Sequence, residues 1–127
     1  MNKLLFYIDF ISYREQGTAI TGLTYKAISY GPVPDRWEKV YSEFSEITQE
    51  IRPVGEYTGS VLKADSKADT SLFSDAELKI IDSICSSMGG YTARVLSELS
   101  HKEEAWIINN ETHSYISFDS AFSLRFQ

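Results

Sequence analysis

Between Lys3 and Gln16 the chain is apolar nearly all round: Leu4, Leu5, Phe6, Tyr7, Ile8, Phe10, Ile11 and Tyr13 leave little polar face. Such a run predicts a buried helix, and Gly17 stands where a helix stops. This core pattern starts almost at Met1, so we expect the piece to have been cut from a longer chain. Thr21-Gly22 marks a turn. Leu23 to Tyr30 alternates loosely, with Leu23, Tyr25, Ala27 and Ile28 as inward candidates, and predicts a short strand. Gly31-Pro32-Val33-Pro34 breaks it. Pro34 then suits the first position of a helix with Asp35 and Glu38 at its positive end and Trp37, Val40, Tyr41 and Phe44 as its apolar stripe.

From Gln49 to Ser66 the residues Ile51, Val54, Tyr57, Val61 and Leu62 predict a β-hairpin, turning at Gly55 or Gly59. Pro53 assigns its first strand to an edge. Residues 63–71 are polar and read as a loop. Phe73-Ser74-Asp75-Ala76-Glu77-Leu78 holds a capping box, Ser74 with Glu77, inside a hydrophobic staple, Phe73 with Leu78. The helix it opens carries Leu78, Ile81, Ile84, Cys85 and Met88 on one face and stops at Gly89-Gly90. Thr92 to Leu99 predicts another helix, with Val95, Leu96 and Leu99 inward. Ser100 with Glu103 forms a second candidate capping box, opening a helix through Trp106 and Ile108 that Asn109-Asn110 closes. Ser117-Phe118-Asp119 starts a last short helix carrying Phe122, Leu124 and Phe126. The order predicts an α+β fold: a mainly helical domain of five to six helices with a small antiparallel sheet of about three strands, spanning 1–127 as a single domain.

Composition adds limits. The 127 residues, 43% hydrophobic and 24% charged, suit one globular domain with a real core. The net charge is −6 and the 12 basic residues are scattered. Direct nucleic-acid binding by this domain alone is therefore not expected, because phosphate contacts need clustered cations. The single cysteine, Cys85, permits no internal disulfide, and its place on an apolar helix face predicts inert core filler. No apolar stretch reaches membrane-spanning length, and Asp9 interrupts the N-terminal apolar run without a cleavage site beyond it. A cytoplasmic location and no membrane partner are the expectation.

The search for chemistry yields little. There is no nucleophile elbow, no phosphate cradle after Gly89-Gly90 and no dense metal-ligand cluster. His101 and Glu104 share a helical face, but one such pair falls short of a carboxylate-bridged metal site. No cofactor and no metal are expected. Asp9 stands out as the one charge between Lys3 and Arg14. A buried carboxylate needs hydrogen bonds or a counter-charge; a Tyr hydroxyl, a Ser or a loop amide is the expected partner, with His101 the alternative. The balance favours binding over catalysis. A small hydrolase or transferase using His101 with Asp9 or Glu104 is the rival.

Four ordered motifs carry a resemblance. They are Lys3-Leu4-Leu5-Phe6-Tyr7-Ile8-Asp9; Ile20-Thr21-Gly22-Leu23-Thr24-Tyr25 followed by Tyr30-Gly31-Pro32-Val33-Pro34; Phe73-Ser74 with Glu77; and Leu96-Ser97-Glu98-Leu99-Ser100-His101 with Trp106. Together they resemble the Panacea domain, also described as SocA-like or phage-associated GepA-like. The resemblance implies an antitoxin of a bacterial or prophage toxin–antitoxin pair that neutralises its cognate toxin by direct binding. A second mode in the family, delivery of the toxin to a cytoplasmic protease, makes a protease an alternative partner. Self-association stays open. Some members carry an N-terminal helix-turn-helix domain, which this chain would follow. The family supplies no catalytic residues. Asp9, His101 and Trp106 are candidates for a buried polar cluster, and Arg36, Trp37, Tyr41 and Tyr57 for the partner interface, since aromatic and arginine side chains dominate binding hot spots.

Overall fold

The computed structural model describes residues 2–42, 47–54, 57–64 and 73–125, with side chains outside 40–72. It forms two compact units, Met1–Asp35 with Phe73–Gln127, and Arg36–Leu72. The first contains helix α1 (Asn2–Gln16), strands β1 (Tyr25–Ile28) and β2 (Gly31–Pro34), helices α3 (Asp75–Met88), α4 (Ala93–Ser100) and α5 (Glu104–Ile107), and a 3₁₀ helix at Phe118–Ser123. The second contains helix α2 (Trp37–Ser42) and strands β3 (Ile47–Val54) and β4 (Tyr57–Ala64). The α+β class and the dominance of helix hold. The strands form two separate antiparallel hairpins, β1–β2 and β3–β4, where one sheet of about three was expected.

The apolar run at the N-terminus makes α1 the centre of the first unit. Phe6 through Ser12 are all buried, a full two turns with no solvent side. Such a helix needs partners all round, and α1 packs on α3, β2, α4 and the 3₁₀ helix. Its aromatics seed the core. Phe6 and Phe10, one turn apart, have centroids 4.5 Å apart; Tyr25 meets both edge-on at 5.9 and 5.7 Å; and Phe118 stacks on Phe10 at 4.6 Å. Gly17 ends the helix with φ +78°, its N–H donating to the Tyr13 carbonyl at 2.8 Å.

The Gly-Pro-Val-Pro segment, expected to break the strand, is itself strand β2. Its register pairs Tyr25 with Pro34 and Ala27 with Pro32. Antiparallel pairs alternate between hydrogen-bonded and non-bonded. The Ala27 N–H donates to the Ser114 carbonyl at 3.0 Å and the Ile116 N–H to the Tyr25 carbonyl at 2.9 Å, so residues 25 and 27 face away from β2. Both prolines therefore sit opposite residues that ask no hydrogen bond of them, and the ladder loses nothing. Residues 114–116 line the outer edge of β1, with Lys26 bridged to Tyr115. Pro34 closes β2, and α2 begins at Trp37.

The Ser74–Glu77 capping box forms as expected, with reciprocal bonds of 2.9 and 3.1 Å. Thr92 caps α4 through the Val95 N–H at 3.2 Å. The second box does not form. Ser100 is the last residue of α4 and donates to the Ser97 carbonyl, and Glu103 makes no side-chain cap. Three inward assignments also change. Cys85 is exposed, because the buried stripe of α3 runs through Ile84 and Met88 and Cys85 falls beyond its edge. Val95 is exposed beside buried Leu96. Phe122 is exposed because the last helix is 3₁₀: three residues per turn bring Phe118, Ala121 and Leu124 inward instead.

In the second unit β3 and β4 pair from Ile47↔Ala64 to Val54↔Tyr57. Gly59 lies within β4 opposite Arg52, so it is not the turn; Gly55 lies outside the described residues. Pro53 is indeed on an edge, as every strand of a two-stranded sheet is.

Gly31 and Gly22 predict a measurable contrast. Both have positive φ, +120° and +75°. A Cβ at Gly31 would stand 2.5 Å from Ser100 Oγ and 3.0 Å from Lys3 Cε, whereas one at Gly22 meets nothing within 4 Å. Gly22→Ala should cost about 1 kcal/mol from backbone conformation alone. Gly31→Ala should cost about 3 kcal/mol or more once crowding is added. Urea midpoints of the two variants check the difference.

Candidate functional site

Three polar features are built into the first unit, and α1 contributes to each. The first is Asp9, fully buried on α1. Its Oδ1 accepts from the backbone N–H groups of Ile20 and Thr21 at 2.9 and 2.8 Å. Its Oδ2 accepts from the Tyr25 hydroxyl at 2.6 Å and from the Thr21 hydroxyl. These are the loop amides and the Tyr hydroxyl that the sequence called for. The four donors spread the negative charge over fixed dipoles, which makes burial without a cation tolerable. Asp9 thereby anchors the α1–β1 loop and the first residue of β1.

The second feature escaped sequence reasoning. Glu103 is 2% exposed, at the start of α5. It accepts from the Tyr7 hydroxyl at 3.2 Å and from the Arg125 N–H at 2.9 Å. It thus ties α1 to the C-terminal segment. Burial, reinforced by the Glu103 charge and its hydrogen bond, pushes the Tyr7 phenol far above its ordinary range. The Ser-x-x-Glu pattern pointed to a cap instead; the only clue to burial was Tyr7 inside an all-apolar helix.

The third is His101 with Trp106. The rings stack with centroids 4.1 Å apart, and the Trp106 indole N–H donates to the Ile28 carbonyl at 2.7 Å. Of the three residues expected in one buried polar cluster, the structure brings these two together; the hydrogen bonds of Asp9 go to residues 20, 21 and 25. His101 and Lys3 line a cavity of about 440 Å³ together with Tyr30, Arg94, Ser97 and Glu98. Glu104 is exposed, and among the described residues neither it nor Asp9 hydrogen-bonds His101. The acid–base pair that a His101 enzyme requires is not assembled there. Among the described residues no three His, Cys, Asp or Glu side chains are grouped to hold a metal.

The four interface candidates, Arg36, Trp37, Tyr41 and Tyr57, all fall in the second unit. Arg36 is exposed with φ 56°, and Trp37 is half-buried. The side chains of Tyr41 and Tyr57 lie outside the described ones. The first unit exposes its own large apolar groups: Tyr30 at 75%, Phe122 at 67%, Ile108 at 64% and Tyr115 at 58%.

Two outcomes follow from the buried carboxylates. Asp9→Asn should lower stability by about 3 kcal/mol, because an amide turns donors toward donors; Thr21→Val, losing one of the four bonds, should cost about half that. Chemical denaturation at neutral pH measures both. Tyr7 also predicts an alkaline limb. Its folded pKa is raised, so its contribution is complete below about pH 10 and is lost as pH rises further, because the unfolded phenol releases a proton that the native one keeps. The stability difference between the parent protein and Tyr7→Phe, followed by urea titration from about pH 8 to pH 11, should shrink above pH 10.

A family model for the SocA-like antitoxin, Panacea domain, matches residues 1–107, ending with the last residue of α5. No curated protein and no solved structure gives a significant match. The matched part holds Asp9 with its loop, the prolines of β2, the α3 capping box and the His101–Trp106 stack. Covering well over half of the chain, the match establishes that this protein belongs to the SocA-like antitoxin family of Panacea domains.

Proposed function

We propose that the protein is the antitoxin of a bacterial or prophage toxin–antitoxin pair and neutralises its cognate toxin by direct, non-enzymatic binding. The family match over residues 1–107 carries this reading. The surface supports it: large apolar side chains stand exposed, including Tyr30, Tyr91, Ile107, Ile108 and Tyr115, and aromatic groups of that kind anchor protein interfaces. Arg36, Trp37, Tyr41 and Tyr57 are the proposed anchors on the second unit. The chain's acidic balance, −6, suits a basic toxin surface and speeds the encounter. No helix among the described residues is long and apolar enough to cross a membrane.

Co-expression with the neighbouring gene is the direct test. The neighbour should arrest growth alone and be tolerated with this protein, and the two should co-purify. A neighbour that is harmless alone, or that stays lethal in the presence of this protein, overturns the reading. Toxin half-life separates the two modes: unchanged half-life means sequestration, and shortened half-life means delivery to a protease. Trp37→Ala should weaken toxin binding about tenfold or more if it is a central anchor, a loss that calorimetry measures.

A further inference from the structure

The His101 cavity is lined by one buried nitrogen without a hydrogen-bond partner and by one partly buried ammonium. Arg94 pairs with Glu98 at 3.2 Å, and the Ser97 hydroxyl donates to the Tyr30 carbonyl at 2.6 Å. His101 Nε2, by contrast, is buried with no hydrogen-bond partner. Lys3 lies in the first turn of α1, with its Cε against Gly31 on the side of Ser100, the neighbour of His101 in sequence. Burial lowers the pKa of its amine below the ordinary lysine value. Native proteins seldom leave a buried polar nitrogen without a partner, and His101 Nε2, when protonated, is a donor that asks for an acceptor.

The charges say what kind of acceptor. Arg94 and Glu98 cancel, which leaves the single positive charge of Lys3. One negative charge balances it, and a planar, two-oxygen acceptor serves an ammonium and an imidazole N–H at once. The volume, about 440 Å³, lies within the range of pockets that hold small ligands and is more than a bare ion needs. Gly31, next to Tyr30, leaves room for the Lys3 side chain: a Cβ there would meet both Lys3 and Ser100. Tyr30, three-quarters exposed, supplies an aromatic wall.

We propose that this cavity is a carboxylate-binding pocket, in which Lys3 and His101 hold a single carboxylate group carried by a small molecule or by an acidic residue of a protein partner. Acetate is the probe, with acetamide as its neutral counterpart and sodium chloride holding the ionic strength constant. The full chain is titrated while the His101 ring resonances are followed by NMR. Acetate should shift them saturably and acetamide should not. Lys3→Gln should weaken the acetate response about tenfold or more, and Lys3→Arg should keep it. Circular dichroism and urea midpoints confirm that both variants are folded. An absent or unsaturable acetate response, an equal response to acetamide, or unchanged affinity in folded Lys3→Gln overturns the pocket. If Lys3→Gln fails to fold, the acetate–acetamide comparison on the parent protein decides alone.

Binding of the cognate toxin assigns the source. A tenfold loss in Lys3→Gln places a toxin carboxylate in the pocket, and unchanged toxin affinity places a free small carboxylate there; each is a form of the proposed site. Failure of the parent protein to bind any toxin would overturn the antitoxin reading and leave the acetate result standing.

Discussion

A carboxylate in the middle of a helix with no solvent side organises this protein. Asp9 would be prohibitively costly to bury alone. Two loop N–H groups and two hydroxyls donate to it, and each of the four lies on the segment that leads from α1 into β1. The helix therefore fixes the path of the chain after it. Tyr25, held by its hydroxyl, places its ring against Phe6 and Phe10, so the polar anchor and the aromatic core position each other. Packing alone tolerates many arrangements of similar volume, whereas a buried charge with four specific donors tolerates few.

From that fixed strand the rest of the first unit follows by alternation. Residues 25 and 27 turn their backbone groups outward, where residues 114–116 meet them. Lys26 and Ile28 turn theirs to β2, which can hold prolines at 32 and 34 for that reason. The segment between α5 and the 3₁₀ helix is thereby drawn onto β1, and Glu103 secures the stretch beyond it through Arg125. Two buried carboxylates, both bound by uncharged donors, hold the α1–β1 loop and the segment around Arg125 to α1.

The polar groups of the first unit divide between those committed to the fold and those left over. Asp9 and Glu103 spend their oxygens on the fold, and His101 is stacked on an indole without a hydrogen-bonded carboxylate. The groups left over are of two kinds: large apolar side chains in water, and a buried His101 nitrogen without a hydrogen-bond partner in a residue that lines a cavity with Lys3. Both kinds suit the binding role proposed above, in keeping with membership of the SocA-like antitoxin family.

The sequence by itself determined the elements whose signals are local. The all-apolar stretch marked a buried helix, Ser74 with Glu77 marked a cap, and Asp9 in that stretch demanded donors of the kind found. Ile51, Val54, Tyr57, Val61 and Leu62 likewise marked a hairpin. Tertiary structure decided what depends on partners distant in the chain. Pro32 and Pro34 look like strand breakers until residues 114–116 take the other edge of β1. Ser100 and Glu103 look like a cap until Tyr7, 96 residues away, claims the carboxylate. Phe122 looks inward until the helix tightens to three residues per turn. The His101 cavity, made by α1, the β1–β2 turn and α4 together, has no local signature. Hydrogen-bond demand is written residue by residue, but which distant group answers it is settled only when the chain has folded.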